Sequence, residues 1–536
     1  MPEMVCYIRL RPLHRPPKWR AQGEPSVTKA SVIVDDAPIG TISPRLYGHF
    51  AEHLGRCCYG GLWLGRGKGP VRSIDGFRSD VVEALRELPT PLIRWPGGCY
   101  ADHYHWRDGI GPPASRPMTL GMSCGLRVPD DHGLGTHEFL RLCELVGAEP
   151  YLVANVGSGS VQELCDWVEY VNTSVETSLA RQRASNGRPE PWGVRLWGLG
   201  NEAWGCGGSF DAATYAQEYR RAAAMVRHVD PQAELVAVGL EDDPLGPDSV
   251  ERDWNSKFLA TLGPAVNLVD HLSIHRYFIR GGPEVGFGED DYYALLREAE
   301  DVEQMIERIG KLVAAASPSR PIGIAFDEWG VWHPEARDWG PGSVERRSPA
   351  TFEQANTMRD ALAAGIAFEG FHRQCRVLSM ANISQLVNVL QSPLVTSGAT
   401  LVKTPTYHAF WLHRAHAGAE AVQVEVDAEA VGPGVAALSA TASSGPRGIT
   451  VTILNRDYRR PTTVAVRASG SASSCLLLAA GSADSANDAA APERVAPRNL
   501  AFDSSTAGSC SVTLPPHSMA TIEFMADQPS QGTSRG

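Results

Sequence analysis

Two glutamates carry the chemistry that this sequence could perform. Glu202 lies in WGLGNEAWGCGG and Glu328 in IAFDEWGVW, each at the end of an apolar run and followed within three residues by Trp and Gly. Cleavage of a glycosidic bond through a covalent intermediate needs such a pair, about 5–5.5 Å apart, one to protonate the leaving oxygen and one to attack the anomeric carbon. Crowding raises the pKa of one of them, so an acid and a carboxylate coexist near neutral pH. Asn201 is placed to donate to a sugar 2-hydroxyl, and Trp204, Trp329 and Trp332 offer flat apolar faces to sugar C–H surfaces. Taken singly, either glutamate reads as an ordinary strand-end carboxylate paired with an arginine; the specificity lies in the pair.

Residues so far apart in sequence face each other only if the chain closes on itself. From about Gly40 to Gln391, short apolar runs bounded by Gly or Pro alternate with stretches of helical period. The runs GTISPRLYGHF, PLIRWPGG, PYLVANVG, VRLWGLGNE, AELVAVGLE, VDHLSIHRY, PIGIAFDEWG and CRVLSMAN predict eight strands, and DVVEALREL, THEFLRLCELV and AATYAQEYRRAAAMVRHV predict helices between them. This is the pattern of an α/β (β/α)8 TIM barrel over residues 43–400, with its chemistry at the C-terminal strand ends, Glu202 on the fourth and Glu328 on the seventh. Beyond the helical segment TPTYHAFWLHRAHAG, alternating runs such as AVQVEVDA, GITVTILNRD, TTVAVRA and ATIEFMA predict a C-terminal β-sandwich over 401–526, to which residues 29–42 lend a strand. Residues 1–28, basic and Pro-rich, and 527–536 are expected to be disordered.

The net charge of −12 disfavours nucleic acid or an anionic membrane as partner, because both reward clustered Lys and Arg. Eleven cysteines, an odd number without paired CxxC spacing, predict free thiols in a reducing cytoplasm, with neither a disulfide framework nor structural zinc. The N-terminal stretch lacks the continuous apolar run of a secretory signal or membrane span.

Other motifs invite rival readings. HFAEH at 49–53 spells His-x-x-Glu-His, which on a helix would make a zinc metallohydrolase. Gly48 before it and Leu54-Gly55 after it leave too little helix for that. His103 and His105 would share a face on a strand; in a loop they hydrogen-bond backbone or sugar. Cys57, Cys58, Cys99 and Cys206 read as small buried thiols, and Arg94 either as a core ion pair or as a support to Glu328. A barrel that binds sugar without turnover is the third alternative, but a mere binder has no need of both Glu202 and Glu328.

The segments YGHFAEHLGRCCYGGLW (47–63), IRWPGGCYADHYHWRDGIGP (93–112), GTHEFLRLCELVGAEPYLVANVGSG (135–159), WGLGNEAWGCGG (197–208), FDEWGVW (326–332) and SMANISQLVNVLQS (379–392) together resemble the α-L-arabinofuranosidases of glycoside hydrolase family 51. The resemblance implies a barrel with a jelly-roll sandwich, retention of configuration, no metal or cofactor and a homohexamer. It further implies exo action on terminal α-L-arabinofuranosyl residues of oligosaccharides or hemicellulose side chains. By the same resemblance Glu202 is the acid/base and Glu328 the nucleophile. Glu52, Cys99, Asn201, Tyr277 and Gln391 hold the arabinofuranose, with Gln391 in NVLQS preferred to Gln385 in ISQ. Ala203, His103 and Arg276 depart from the family pattern and bear on the subsites and substrate preference more than on the chemistry.

Overall fold

The computed structural model describes residues 27–65, 71–241, 251–316, 319–337, 339–342, 352–432 and 434–526. The expected tails, 1–28 and 527–536, fall outside these residues except for 27 and 28.

Eight parallel strands close into a barrel: β1 (Gly48–Phe50), β2 (Leu92–Trp95), β3 (Glu149–Ala154), β4 (Leu196–Leu199), β5 (Glu234–Val238), β6 (His271–Phe278), β7 (Gly323–Val331) and β8 (Leu378–Ser384). Each pairs with its sequence neighbour, and β8 closes the ring on β1 through Asn382–Gly48, Ile383–His49 and Ser384–Phe50. Strands of a closed barrel are covered on both faces, which is why they read as short continuous apolar runs. Leu92, Tyr151, Val153, Leu196, Val236, Ala325 and Met380 fill the interior. The first predicted strand is much shorter than its apolar run. Pro44 fixes φ and lacks an N–H, so Pro44–Tyr47 forms a 3-10 turn, and the residues before it belong to another sheet.

That sheet has ten strands, and its side chains enclose an apolar core of Val32, Val422, Ile453, Val464, Leu477, Val512, Ile522 and Phe524, among others. The strand Thr28–Thr41 lies within it, antiparallel to Glu420–Asp427 and parallel to Thr462–Arg467. Five of its ten strands escaped the sequence reading: the short Arg498–Asn499 and Asp503–Thr506, and the longer Leu438–Gly445, Ser471–Leu478 and Ser509–Leu514. The Ser and Ala content of the longer three carries little β-branched or aromatic signal, and cross-strand pairing supplies what propensity does not.

Helices Met358–Arg373 and Pro405–His413 join barrel to sheet. The first approaches so closely that a Cβ on Gly365 would fall 2.5 Å from the Met519 methyl. Three buried histidines line this junction. The His372 ring lies between the Tyr47 hydroxyl (2.7 Å) and Thr441 Oγ1 (2.9 Å), and the His416 ring between Ser443 Oγ (2.7 Å) and Thr452 Oγ1 (2.9 Å). His413 Nδ1 donates to the Ala409 carbonyl at 2.8 Å. Burial pushes the His413 imidazole down to about 4 and the other two well below the ordinary value.

Candidate active site

Glu202 and Glu328 stand at the C-terminal ends of β4 and β7, and the closed barrel brings an oxygen of each within 4.8 Å of the other and of a His275 nitrogen. The His275 Nδ1 lies 3.0 Å from Glu202 Oε1 and 3.7 Å from Glu328 Oε1, between the two carboxyls.

Glu328 accepts from Arg94 Nη1 at 2.9 Å and from the Tyr277 hydroxyl at 2.7 Å. Burial pushes its carboxyl up, but the charges of His275 and Arg94 and the hydrogen bonds from Tyr277 and Arg94 outweigh it and hold the pKa below the usual range. Conversely, burial lowers the His275 pKa, and the charges of Glu328 and Glu202 more than restore it, so it ends above its ordinary value. The arrangement favours an ionised Glu328 beside a protonated His275.

Arg94 unites the two readings that its sequence position allowed. It is buried, and it bridges Glu328 to Asn201 Oδ1 (2.6 Å) while stacking over Phe50. Asn201 is held from its other side, its backbone N–H donating to Asp102 Oδ2 at 2.9 Å. Asp102 also accepts from Val156 N and Gly157 N, tying together the loops after β2, β3 and β4, and burial lifts its pKa to about 7. Sequence reading passed over Asp102. Its trace is in its neighbours: a Cβ on Gly157 or Gly207 would strike it at 2.9 or 2.7 Å.

Glu52 is buried beside this pair. Its Oε1 accepts from the Tyr100 N–H (3.0 Å) and Ser123 Oγ (2.6 Å), and its Oε2 from Gln385 Nε2 (2.9 Å). Burial first and the nearby charge of Glu328 second raise its pKa to about 7. The chain after β2 packs directly against these carboxyls: a Cβ on Gly97, at φ +152°, would lie 2.4 Å from Glu52 Cγ, and one on Gly98 2.8 Å from Glu328 Oε1. Only glycine leaves the room. Ser123 comes from the hairpin Thr119–Ser123/Leu126–Asp130, which the sequence reading did not resolve as an element.

Gln391 stands elsewhere. It is fully buried, its Oε1 accepting from Val331 N (2.7 Å) and its Nε2 donating to the Asp360 carbonyl (2.7 Å) and Thr406 Oγ1 (3.1 Å), so it braces β7 against two helices. Of the two glutamines weighed for this position, Gln385 and not the preferred Gln391 reaches Glu52, and its own Oε1 is buried with no hydrogen-bond partner among the described residues. The signal was available, because Gln385 follows directly on the end of β8, as the two catalytic candidates follow β4 and lie in β7, whereas Gln391 lies six residues later.

Cys99 and Cys206 are joined in a disulfide, with Cα atoms 5.5 Å apart, which corrects the expectation of free thiols at these two positions. Their separation of 107 residues hid the pairing. Trp329 is a further correction. Neighbouring strand residues point to opposite faces, so with Glu328 turned inward Trp329 packs outward among Phe326, Phe368 and Phe371 and offers no face to a sugar. Trp332 stays near the site, its ring 5.0 Å from Tyr277, and Trp204 is half-buried with Nε1 donating to the Gly239 carbonyl. Ala203 is buried, and Arg276 turns toward the helix Glu289–Ala316, 4.0 Å from Glu298.

The HFAEH segment is a strand and a turn, not a helix. Its histidines part company: His49 stacks on Phe410, while His53 stacks on Tyr100, meets Asp130 at 3.1 Å and accepts from Trp95 Nε1. His105 pairs with Glu163 at 3.0 Å, and His103 lies on a 3-10 turn, so the two do not stand on one strand. Among the described residues no helix is long and apolar enough to cross a membrane.

Comparison with known proteins agrees with this geometry. Residues 84–280 match the family model described as α-L-arabinofuranosidase 1 domain, and residues 327–518 that of the α-L-arabinofuranosidase C-terminal domain. Over 436 residues, 79% of this chain and 81% of the relative, the sequence is 38% identical to an intracellular exo-α-L-arabinofuranosidase of Bacteroides ovatus. The crystal structure of a family 51 arabinofuranosidase from Xanthomonas axonopodis pv. citri superposes with a TM-score of 0.84 at 32% identity, covering 93% of this chain and all of that one. A family 51 α-L-arabinofuranosidase from Bifidobacterium longum gives 0.84 at 28% identity, covering 94% of this chain and all of that one.

Proposed function

Since this chain belongs to the α-L-arabinofuranosidases of glycoside hydrolase family 51, we propose that it works by double displacement, with Glu328 as nucleophile and Glu202 as acid/base. The observation that carries this reading is the approach of one oxygen of each carboxyl to within 4.8 Å of the other, which suits the close pair of a retaining enzyme and not the roughly 6.5–9.5 Å separation that admits a water for inversion. Glu328, ionised under the influence of Arg94, His275 and Tyr277, attacks the anomeric carbon while Glu202 protonates the departing oxygen. Glu202 then takes a proton from the water that releases the sugar, and the charge of His275 offsets the negative charge left on Glu202. Glu52 and Gln385, with the backbone at Cys99 and the side chain of Asn201, hold the furanose hydroxyls; the Gln385 Oε1, buried and unpartnered among the described residues, supports this role.

The substrate is a terminal, non-reducing α-L-arabinofuranosyl residue on an oligosaccharide or hemicellulose side chain, in keeping with the exo-acting Bacteroides relative. That relative is named intracellular, which supports a cytoplasmic location and hence small imported substrates. The assembly we expect is a homohexamer, to be measured by light scattering.

Azide separates the roles of the two glutamates. Glu202→Ala is still glycosylated by nitrophenyl α-L-arabinofuranoside, whose leaving group needs no protonation, and azide, needing no base, accelerates its turnover to the α-azide after two inversions. In Glu328→Ala azide attacks the substrate directly and gives the β-azide. The opposite pairing of products would mean reversed roles, and rescue of neither variant would remove the support for both assignments.

A further inference from the structure

Cys99 and Cys206 come from different site loops and meet beside the carboxyl of Glu202. Cys99 follows the close-packed Gly97-Gly98 after β2. Cys206 lies in a turn that folds back on the acid, with Gly205 N and Gly207 N both donating to the Glu202 carbonyl. Its sulfur is 3.8 Å from Glu202 Oε2, and both sulfurs and a Glu202 oxygen lie within 4.8 Å of one another. The other Glu202 oxygen is occupied by His275, so Oε2 is the one turned to the sulfurs. Both cysteines are only half-buried, as is Cys124, whereas Cys57, Cys58, Cys143, Cys165, Cys375, Cys475 and Cys510 are buried.

We propose that the dithiol form of Cys99 and Cys206, together with Glu202, is a binding site for a thiophilic divalent cation such as Zn²⁺, and that disulfide formation closes this site. Thiolates and carboxylates are both zinc ligands, and a set of three protein ligands leaves a fourth position open. Zinc–sulfur bonds of about 2.3 Å at a tetrahedral angle place the sulfurs about 3.8 Å apart. Cα atoms 5.5 Å apart meet that span by side-chain rotation, without moving either loop. The redox step balances with a small dithiol. One of its thiolates attacks a sulfur of the disulfide and breaks the S–S bond, and its second thiol displaces the mixed disulfide. Two electrons and two protons pass to Cys99 and Cys206, and the reagent leaves as a cyclic disulfide. The cation then replaces the two thiol protons. Bound there, it takes the carboxyl assigned to proton transfer, and hydrolysis stops until a chelator removes it.

The same cleft holds a second cluster, Glu202, His275 and Glu328, that could take a cation in either redox state, so the test must tell the two apart. Full-length protein is prepared oxidised and, after dithiol treatment and anaerobic desalting, reduced, with iodoacetamide labelling and mass spectrometry showing two additional modified cysteines. Each form is titrated with Zn²⁺ while nitrophenyl α-L-arabinofuranoside hydrolysis is followed, and with Co²⁺ while thiolate-to-cobalt charge-transfer absorption is followed. We expect one equivalent of Zn²⁺ to cut the activity of the reduced enzyme at least ten-fold, reversibly with EDTA, and to leave the oxidised enzyme unchanged. The cobalt band is expected only in the reduced enzyme and not in Cys206→Ser. Equal inhibition of both forms would overturn the proposal in favour of the His275 cluster, and so would a cobalt band that survives in Cys206→Ser or is missing from the reduced enzyme. The wild-type redox comparison stands even if the variant folds poorly. The activity arm rests on the acid/base reading of Glu202, but the cobalt band does not, so a failed azide experiment leaves this site testable.

Discussion

Gln391 and Gln385 both follow β8, and alanine at each separates a bracing role from a role in the site. Gln391→Ala strips Val331 N, the Asp360 carbonyl and Thr406 Oγ1 of their shared partner in a fully buried position. An unsatisfied buried N–H costs about 1–3 kcal/mol, and the two weakened acceptors together with the vacated volume add about 2 kcal/mol more. The expected loss is therefore about 3–5 kcal/mol of stability, read as an earlier denaturant midpoint, with kcat/KM per folded molecule within about two-fold of wild type. Gln385→Ala removes one donor from the Glu52 carboxyl. A hydrogen bond to a charged group is worth about 1.5–3 kcal/mol, which translates into a fall in kcat/KM of about 10- to 100-fold, with the midpoint nearly unchanged. Chemical denaturation and steady-state kinetics on the same preparations decide the matter. A Gln391→Ala enzyme of native stability and crippled activity, or a Gln385→Ala enzyme of wild-type activity, would refute the reasoning.

Two further outcomes follow from the hydrogen bonding and burial. Ser123→Ala deprives Glu52 of the hydroxyl that favours its ionised form, so kcat/KM should fall about ten-fold and the acid limb of its pH profile move upward; an unmoved limb would show that Glu52 need not ionise. The His413 imidazole, ordinarily near 6.5, is held down to about 4 in the fold, so its contribution to stability is complete above about pH 6.5 and is lost as the pH falls toward 4. His413→Phe gives up the bond to Ala409, about 1 kcal/mol, yet avoids about 2 kcal/mol of proton linkage at pH 5. The variant should be the less stable at pH 7.5 and the more stable at pH 5, and parallel denaturation curves at the two pH values would refute this.

The barrel was legible in the amino-acid sequence because covered strands demand continuous apolar runs and exposed helix faces demand a 3.6-residue period. The helices Thr136–Val146 and Ala212–Val229 occur at the residues where that period predicts them. Glu202 and Glu328 were legible for a related reason: a carboxyl at the end of an apolar strand, set among Gly and Trp, is an expensive arrangement that packing alone does not call for. What depends on distance through space was not legible. The Cys99–Cys206 pairing, Asp102 clasping three loops, and Ser123 on Glu52 each join residues whose spacing in the chain carries no periodic signal. Gln385 and Gln391 are the same residue type six positions apart; only the course of the chain after β8 decides which amide meets Glu52 and which is spent bracing β7. Local pattern sets which segments become strands and helices, because each residue's burial is written in its polarity. The contacts among strand-end loops are set by barrel closure, and closure is a property of the whole chain.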